Sequence, residues 1–373
     1  MHSYNIWNKW DPLKVCMLGN NYAPEFFDGI PGKAADPIKR VCEETLEDLE
    51  GYKEILQQFG VEVIQPQLDP NERFMDNPRR YPRGPLQPRD QQIVIGNTCF
   101  TRDIDHPAIT QALFNYSPKN TVRTTTLPLP ENKYNQVACF DSGDWPSYTD
   151  YANGADLKDF VRKEIEDLHF DSFPICSADS FLLDDRLLIG KNDQYLHDAK
   201  PGIEDIIKLY THKNIRVELC AMEGHTDGNY HPIKPNAILS LTDVQNYNET
   251  FPGWDVCFLP DQSWDLVKPF THLKHHNQGK WWVAGEEYNT EFTHFVETWL
   301  QEWVGYVEET VFDVNVLVID EHHVCVSQPN NKTVNDFLKK HNMEPIYVPW
   351  RHRYFWDGGL HCITLDLYRE GKN

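Results

Sequence analysis

Several features that mark membrane and secreted proteins are missing from this chain of 373 residues. No stretch approaches the ~18 consecutive apolar residues of a membrane-spanning helix. Residues 1–10 contain no basic region followed by an apolar run, so they do not resemble a signal peptide. The nine cysteines lie singly, without a Cys-x-x-Cys pair for zinc or redox chemistry. These absences predict a cytoplasmic protein with reduced thiols and no membrane partner.

Positive charge is also scarce, with 35 Lys and Arg against 57 Asp and Glu and a formal net charge of -22. The acidic residues are spread along the chain, so the surface should repel the phosphates of nucleic acids and anionic lipid headgroups. Nucleic acid is therefore not expected as a partner. The composition, 40% hydrophobic and 13% aromatic, is that of a globular protein.

Apolar patterning predicts short strands and helices in alternation, which indicates an α/β protein without a low-complexity linker. No sequence repeat occurs at a fixed period, so any internal symmetry would be visible only in the structure. Two long proline-rich segments, 71–87 and 116–135, are expected to be loops that carry function. The predicted helices cover residues 41–59, 157–168, 202–210, 292–303 and 333–341. The predicted strands cover residues 13–19, 61–64, 93–97, 186–190, 237–241, 314–320, 324–327, 346–348 and 363–368.

A cysteine follows a double-glycine turn in the segment Gly358-Gly359-Leu360-His361-Cys362. Glycine lets the backbone adopt positive φ angles or approach another group closely, so this turn would present the thiol rigidly. A core cysteine that begins an edge strand is the alternative, because free cysteine is among the most buried residue types. The other polar clusters of the chain favour a nucleophile.

Three such clusters lie where predicted strands meet loops. Asp90 follows Arg89 at the mouth of one strand, and Asp179 precedes a predicted hairpin. His225 and Asp227 stand two residues apart between glycines. Residues i and i+2 of an extended backbone face the same side, so these two side chains are expected to point into one site. Each cluster alone is compatible with an ordinary turn, whereas together they indicate a site.

One cysteine, one histidine and several carboxylates suit the chemistry of a guanidinium group. That group is planar and cationic, and two carboxylates can hold its N–H groups through paired charge-assisted hydrogen bonds. A thiolate can then attack the central carbon while a histidine moves protons. The set therefore predicts an enzyme that acts on a guanidino substrate.

With these motifs the chain resembles the amidinotransferases of the guanidine-modifying (pentein) superfamily, and it is most similar to the glycine amidinotransferases. The resemblance implies one domain over residues 1–373, built as a five-bladed α/β propeller of ββαβ units with pseudo-fivefold symmetry around a central channel. The motifs that occur in the family's order are the opening strand at 7–15, Pro-Arg-Asp at 88–90, Ala-Asp at 178–179, His-x-Asp at 225–227, Val-Asn-Val-Leu at 314–317 and the cysteine turn at 358–362.

Carried over motif by motif, the resemblance implies a role for each candidate residue. Cys362 would be the nucleophile and His225 the general acid and base. Asp179 would hold the guanidinium and orient His225, Asp227 would hold it from the other side, and Asp90 would bind the substrate. The further expected substrate-binding residues are Arg89, Glu309 and Asn315.

The implied reaction transfers an amidino group from arginine to an amine, glycine by default, through an amidino-cysteine with ping-pong kinetics and release of ornithine. A thiol ordinarily titrates near ~8.5, and the neighbouring aspartates oppose its ionisation, so the cationic substrate should complete its activation. If water replaces the acceptor, the same site is an arginine deiminase-type hydrolase. The implied partners are two small molecules, without cofactor or metal, and a homodimer is compatible with the resemblance.

The chain departs from the family at one point, because no arginine occurs from residue 217 to residue 350. Family members that handle arginine hold the substrate's carboxylate with an arginine in this part of the chain. Arg351 or Arg353 could supply that charge instead, and the acidic pair Glu308-Glu309 would suit a substrate with a free amine.

Two other classes stay open at this stage. A metal site could be drawn from His225, Asp227 and His231, or from the histidine pairs at 275–276 and 322–323, although no His-Glu-x-x-His helix supports it. A non-catalytic propeller that keeps the fold but not the activity is the second alternative.

Overall fold

The sheets are built from short strands. The computed structural model describes residues 3–77, 81–102, 106–124, 175, 177–190, 194–220, 225–241, 247–259, 281–304 and 313–371. The strands are β1 Leu13–Leu18, β2 Glu62–Ile64, β3 Gln92–Ile95, β4 Thr98–Arg102, β5 Thr121–Thr124, β6 Ser180–Leu183, β7 Arg186–Ile189, β8 Arg216–Leu219, β9 Tyr230–Lys234, β10 Ala237–Ser240, β11 Asp255–Phe258, β12 Leu317–Val318, β13 His323–Val326, β14 Glu344–Tyr347 and β15 Thr364–Arg369.

These strands form five three-stranded sheets that share one pattern. In every sheet the middle strand pairs antiparallel with one neighbour and parallel with the other. Each sheet of the described residues ends at its third strand, so no closed sheet joins them. The predicted α/β class is confirmed. The sheets are β15-β1-β2, β3-β4-β5, β6-β7-β8, β9-β10-β11 and β12-β13-β14.

A helix lies between the middle strand and the parallel strand of every sheet, so each unit reads ββαβ. One unit takes its first strand, β15, from the far end of the chain, and Asp366 of β15 pairs with Cys16 of β1. None of the described helices combines the length and the apolar content needed to cross a membrane. The helices are α1 Ala35–Gln58, α2 Pro107–Tyr116, α3 Gln194–Thr211, α4 Thr226–Asn229, α5 Tyr247–Thr250, α6 Thr290–Trp299, α7 Lys332–Lys340 and α8 Arg353–Trp356, with single 3₁₀ turns at Pro24–Phe27, Gly32–Ala34 and Phe74–Asp76.

Helix α1 begins six residues before the predicted start at 41, because Ala35 is its first residue. Pro37 stands in its first turn, where the backbone N–H groups have no partner within the helix, so the proline removes no hydrogen bond. The helix buries one face, including Ile38, Val41 and Leu49, in the largest apolar cluster of the protein. Gly60 at φ 75 follows its end, as predicted for a helix stop.

The other predicted elements differ from the structure mainly at their ends. Helix α3 begins eight residues before the predicted start and includes Pro201, and α6 ends at Trp299 rather than at 303. The predicted strand at 314–320 is reduced to β12, while the predicted loop at 116–135 contains strand β5. Residues 125–135 and the predicted helix at 157–168 lie outside the described residues.

A buried ion cluster surrounds Asp366 of strand β15. The Asp366 carboxylate accepts hydrogen bonds from Arg89 Nη2 at 2.7 Å and Arg369 Nε at 2.8 Å. Lys9 Nζ lies 3.8 Å from the same carboxylate. These cations hold the pKa of Asp366 well below its usual range despite its burial, whereas burial lowers the pKa of Lys9 to about 7.

Replacing Asp366 with Ala should destabilise the protein strongly, because two buried arginines would lose their counter-charge. Removing one partner of a buried ion pair costs about 3–5 kcal/mol in the free energy of unfolding. Urea unfolding at neutral pH measures this difference. The depressed pKa of Asp366 contributes stability above the ordinary carboxyl pKa of ~3.9, and that contribution is lost as pH falls through the folded-state pKa.

The matched control is Asp336→Ala, which removes an exposed acid that pairs with Lys332 on α7. Exposed pairs contribute little to stability, so the unfolding midpoint should stay unchanged. Equal effects of the two substitutions would contradict the structural role of the Asp366 cluster.

Candidate active site

Five of the predicted site residues share one recurring position in the fold. Each lies one to three residues before the first strand of a sheet, at the end where the loop enters that strand. The five residues, in chain order, are Asp90, Asp179, Asp227, Asn315 and Cys362.

The double glycine lets the cysteine turn pack closely against its neighbours. A Cβ atom on Gly359 would lie 2.6 Å from the Asn315 side chain, so only glycine fits at this position. Of the two uses expected of the glycines, Gly359 serves the close approach, while the positive φ angle in this turn belongs to Asp357, at φ 53. Trp350 Nε1 donates to the Gly358 carbonyl at 2.8 Å, and Gln87 Nε2 donates to the Trp356 carbonyl at 3.0 Å. The turn is therefore held from both sides.

Cys362 lies at the end of this turn with 6% of its surface exposed. Asn315 Nδ2 donates to its sulfur at 3.0 Å, and the sulfur lies 3.6 Å from Asp227 Oδ2. Asn315 Oδ1 accepts from the backbone N–H groups of His361 and Cys362, at 2.9 and 3.1 Å. The thiol is thus placed between an amide donor and a carboxylate.

The pKa of the Cys362 thiol is raised well above its usual range, first by burial and then by the negative charges of Asp227 and Asp90. The Gly359 backbone and the Asn315 amide act in the opposite direction. Without a cation in the site, the thiol is therefore held in its protonated form.

Asp227 is fully buried, and its Oδ2 atom accepts from His361 Nδ1 at 2.7 Å. Its Oδ1 atom has no hydrogen-bond partner among the described residues. Burial raises the pKa of Asp227 to about 6, although His225 and Arg89 oppose the shift. At neutral pH the carboxylate is therefore mainly ionised, with one oxygen available to a donor that enters the site.

His361 was not singled out in the sequence as a site residue. Burial and the cations around it hold its pKa well below the usual range, so the neutral ring donates from Nδ1 to Asp227. Its ring centroid lies 4.6 Å from that of His231, and it stacks on Phe181 at 6.1 Å. The one signal available was its place beside the cysteine, which does not distinguish a supporting histidine from a core residue.

His225 has extended backbone angles but Asp227 is helical, so the expected i, i+2 geometry of an extended segment is wrong. Asp227 belongs to the short helix α4, and His225 is the residue before its first turn. Thr226 between them donates to the Asp179 carbonyl at 2.7 Å, which ties α4 to the start of β6. His225 still acts electrostatically on Asp227, so the helix keeps the two groups near each other.

The remaining predicted residues have separate surroundings. Asp90 Oδ2 lies 3.4 Å from Arg83 Nη2, and its Oδ1 atom is buried without a hydrogen-bond partner in the described part. Arg89 is fully buried and donates to the carbonyls of His361 and Thr364, each at 2.8 Å. These contacts are structural, and a contact of Arg89 with substrate stays a prediction.

Of the other predicted charges, two lie outside the described residues and two pair elsewhere in the protein. Glu308 and Glu309 lie outside the described residues. Arg351 bonds to Asp48 and Glu47 of α1, and Arg353 donates to the Trp350 carbonyl. Within the described ranges, no group of three or more His, Cys, Asp or Glu side chains could hold a metal ion.

Comparison with known proteins finds that this chain is similar to amidinotransferases. The chain is 24% identical to the mitochondrial glycine amidinotransferase of Xenopus laevis over 403 aligned positions, which cover 98% of this chain and 82% of that protein. It is 25% identical to the L-arginine:L-lysine amidinotransferase of Pseudomonas savastanoi pv. phaseolicola over 149 positions, covering 40% of this chain and 31% of that protein. The chain is therefore similar in sequence to amidinotransferases over almost its whole length. No protein-family model matches it.

Solved structures of amidinotransferases show the same fold as this chain. An amidinotransferase of saxitoxin biosynthesis from Microseira wollei aligns with a TM-score of 0.59 at 18% identity, covering 99% of this chain and 98% of the other. The inosamine-phosphate amidinotransferase of Streptomyces griseus aligns with a TM-score of 0.58 at 16% identity, covering 99% and 97%. Dimethylarginine dimethylaminohydrolase aligns with a TM-score of 0.52 at 12% identity, covering 95% and 99%. The predictions of an amidinotransferase resemblance and of an enzyme are confirmed.

Replacing Asp227 with Asn should lower the pKa of Cys362, because the substitution removes a negative charge 3.6 Å from the sulfur. The pH profile of Cys362 alkylation by iodoacetamide, read by mass spectrometry of its peptide, should move to lower pH. A thiol pKa lower by one pH unit raises the alkylation rate at neutral pH about tenfold. Asp336→Asn on the surface of α7 should leave the profile unchanged. An unchanged or slower reaction in Asp227→Asn would show that Asp227 does not hold the thiol protonated.

Proposed function

We propose that this chain is an amidinotransferase that moves an amidino group from arginine to an acceptor amine through a covalent amidino-Cys362. The observation that carries the proposal is the Cys362 sulfur 3.6 Å from the buried carboxylate of Asp227, in a site whose acids keep the thiol protonated. Such a site is inactive until a cation enters, and the guanidinium of arginine is a cation whose central carbon a thiolate can attack.

The guanidinium would bind between Asp227 and Asp90, with Asp179 beside them. The Oδ1 atoms of Asp227 and Asp90 are both buried without partners among the described residues, so they can accept N–H groups of a ligand. Arg83, whose Nη2 atom already lies 3.4 Å from Asp90 Oδ2, illustrates a guanidinium against this carboxylate. The bound cation would also lower the pKa of Cys362 by offsetting the two negative charges that raise it.

In the proposed reaction the Cys362 thiol passes its proton to His225, and the thiolate attacks the guanidino carbon. The bond from that carbon to the side-chain nitrogen of the donor then breaks, and His225 returns the proton to this leaving nitrogen, which releases ornithine. An acceptor amine next gives a proton to His225 and attacks the amidino carbon. The carbon–sulfur bond breaks, the amidino group leaves on the acceptor, and His225 returns its proton to the Cys362 sulfur, which restores the starting thiol.

Transfer is favoured over hydrolysis because the sequence relatives that cover 98% of the chain are named glycine amidinotransferases. Glycine is the default acceptor, since the full-length relative is a glycine amidinotransferase. Hydrolysis of the same amidino-enzyme is the alternative, and the structural likeness to dimethylarginine dimethylaminohydrolase supports it. Exclusion of water from the amidino-enzyme would decide between the two outcomes.

The proposal extends to the architecture. The five ββαβ units would surround a channel as the blades of a propeller, because the first strand of each unit begins at a candidate site residue. One domain over residues 1–373, a homodimer and a cytoplasmic location stay predictions.

Incubation with arginine alone should add the mass of one amidino group to Cys362, because the second half-reaction cannot proceed without an acceptor. Mass spectrometry of the intact protein and of the Cys362 peptide measures the adduct. Cys362→Ser should not form it. An adduct on another cysteine, or no adduct with arginine or other guanidino donors, would overturn the proposed mechanism.

The fate of that adduct distinguishes the two reactions. With a panel of glycine, other amino acids, diamines and aminocyclitols, ornithine should appear in proportion to one acceptor, with ping-pong kinetics. Citrulline or ammonia released at one rate with and without every acceptor would identify a hydrolase instead.

Replacing His225 with Ala should reduce turnover by ~10²–10⁴-fold, because a positioned general acid and base contributes that much. The loss should fall on kcat, with thermal unfolding unchanged, since His225 is a half-buried residue that precedes a short helix. His322→Ala, which alters an exposed histidine, is the control. Turnover of His225→Ala within threefold of the unaltered protein would assign the proton transfers to another group.

A further inference from the structure

The side chain of Asn315 makes four hydrogen bonds within the candidate site. Its Oδ1 atom accepts from the backbone N–H groups of His361 and Cys362, at 2.9 and 3.1 Å. Its Nδ2 atom donates to the Cys362 sulfur at 3.0 Å and to the Asp227 carbonyl at 3.3 Å. The side chain is 2% exposed, so both of its ends are used inside the protein.

These contacts determine which end of the Asn315 amide faces the cysteine turn and which end faces the sulfur. The backbone N–H groups can only donate, so they require the carbonyl end of Asn315 to face the turn. The NH₂ end is then directed at the sulfur and at the Asp227 carbonyl, both of which accept. Gly359 permits this close approach, because a Cβ atom there would lie 2.6 Å from the Asn315 side chain.

The Asn315 N–H group counteracts the negative charges that surround the Cys362 sulfur. Asp227 and Asp90 both oppose a negative charge on Cys362, and burial removes the water that would otherwise stabilise a thiolate. The Asn315 amide is a side-chain donor that faces the sulfur within the protein itself. A neutral donor stabilises the thiolate without attracting the carboxylates away from the substrate, as a cationic side chain would.

We propose that Asn315 is a catalytic residue that stabilises the Cys362 thiolate by donating a hydrogen bond to its sulfur, rather than a residue that binds the substrate. This role rests on the proposed function, because it matters wherever the sulfur carries negative charge. That happens twice in the cycle. The sulfur is a thiolate when it attacks the guanidino carbon, and it becomes a thiolate again when the carbon–sulfur bond to the amidino group breaks.

Asn315→Asp tests the donor separately from the turn. Aspartate keeps an oxygen for the N–H groups of His361 and Cys362 but replaces the NH₂ group by a second acceptor. The pH profile of Cys362 alkylation by iodoacetamide should move to higher pH, with the rate at neutral pH at least ~10-fold lower, since a thiol pKa higher by one pH unit lowers the thiolate fraction about tenfold. Turnover with arginine and its acceptor should fall at least as far in kcat.

Two variants control for charge and for folding. Asn331→Asp introduces the same charge at the first turn of α7, where Asn331 accepts from the Val334 N–H and donates to Asp313, and its alkylation profile should not move. Asn315→Ala removes the donor without adding charge. It should move the profile in the same direction by a smaller amount, and it serves as the test if Asn315→Asp does not fold.

The alkylation measurement needs no substrate, so it separates this inference from the proposed function. An unchanged profile in a folded Asn315 variant would overturn the inference even if turnover were lost, because the residue would then act on the substrate or only on the turn. Unaltered turnover in Asn315→Ala would also overturn it. Absence of amidino transfer in the unaltered protein would overturn the proposed function, and the alkylation profiles would still decide whether Asn315 stabilises the thiolate.

Discussion

The candidate site depends on one buried carboxylate, Asp366. Through this group Arg89, which precedes β3, and Arg369 of β15 are joined in the interior, and Arg369 also donates to carbonyls of Asp11 and Val318. Arg89 then donates to the carbonyls of His361 and Thr364, which flank the nucleophile in sequence. Two buried arginines are stable in the interior only with a counter-charge, so the position of Cys362 depends on this buried ion cluster.

The candidate site itself carries negative charge. Burial and the charges of Asp227 and Asp90 raise the pKa of Cys362, whereas burial and the surrounding cations lower the pKa of His361, so that its neutral ring supports Asp227. In the proposed mechanism, this acidic site with its protonated thiol would bind a cation and be activated by it, which would link recognition of a guanidinium to formation of the nucleophile. The proposed hydrogen bond from Asn315 would still stabilise the sulfur after the donor's leaving group has departed.

The elements with clear apolar periodicity were predictable, and their ends were not. The amphipathic pattern of α1 is visible in the sequence, but its start at Ala35 depends on Pro37 being tolerated in a first turn. Local pattern misassigned Asp227 as well, because glycines on both sides of His225-Thr226-Asp227 are as compatible with a loop as with the short helix α4. The fivefold repetition of ββαβ units leaves no sequence repeat, since each unit needs only an apolar pattern and not particular residues.

The sequence by itself determined the chemical types of the candidate site and their order along the chain: a cysteine on a double-glycine turn, a histidine and three aspartates at the entrances to strands. Only the tertiary structure decided which groups meet. In the structure His361 hydrogen-bonds to Asp227, and Asn315 hydrogen-bonds to Cys362. Arg89 donates its N–H groups to carbonyl oxygens of the cysteine segment and to Asp366. The reason is that hydrogen-bond partners in a buried site come from separate sheets. Their pairing follows from how strands that are distant in the sequence pack together, which no local pattern encodes.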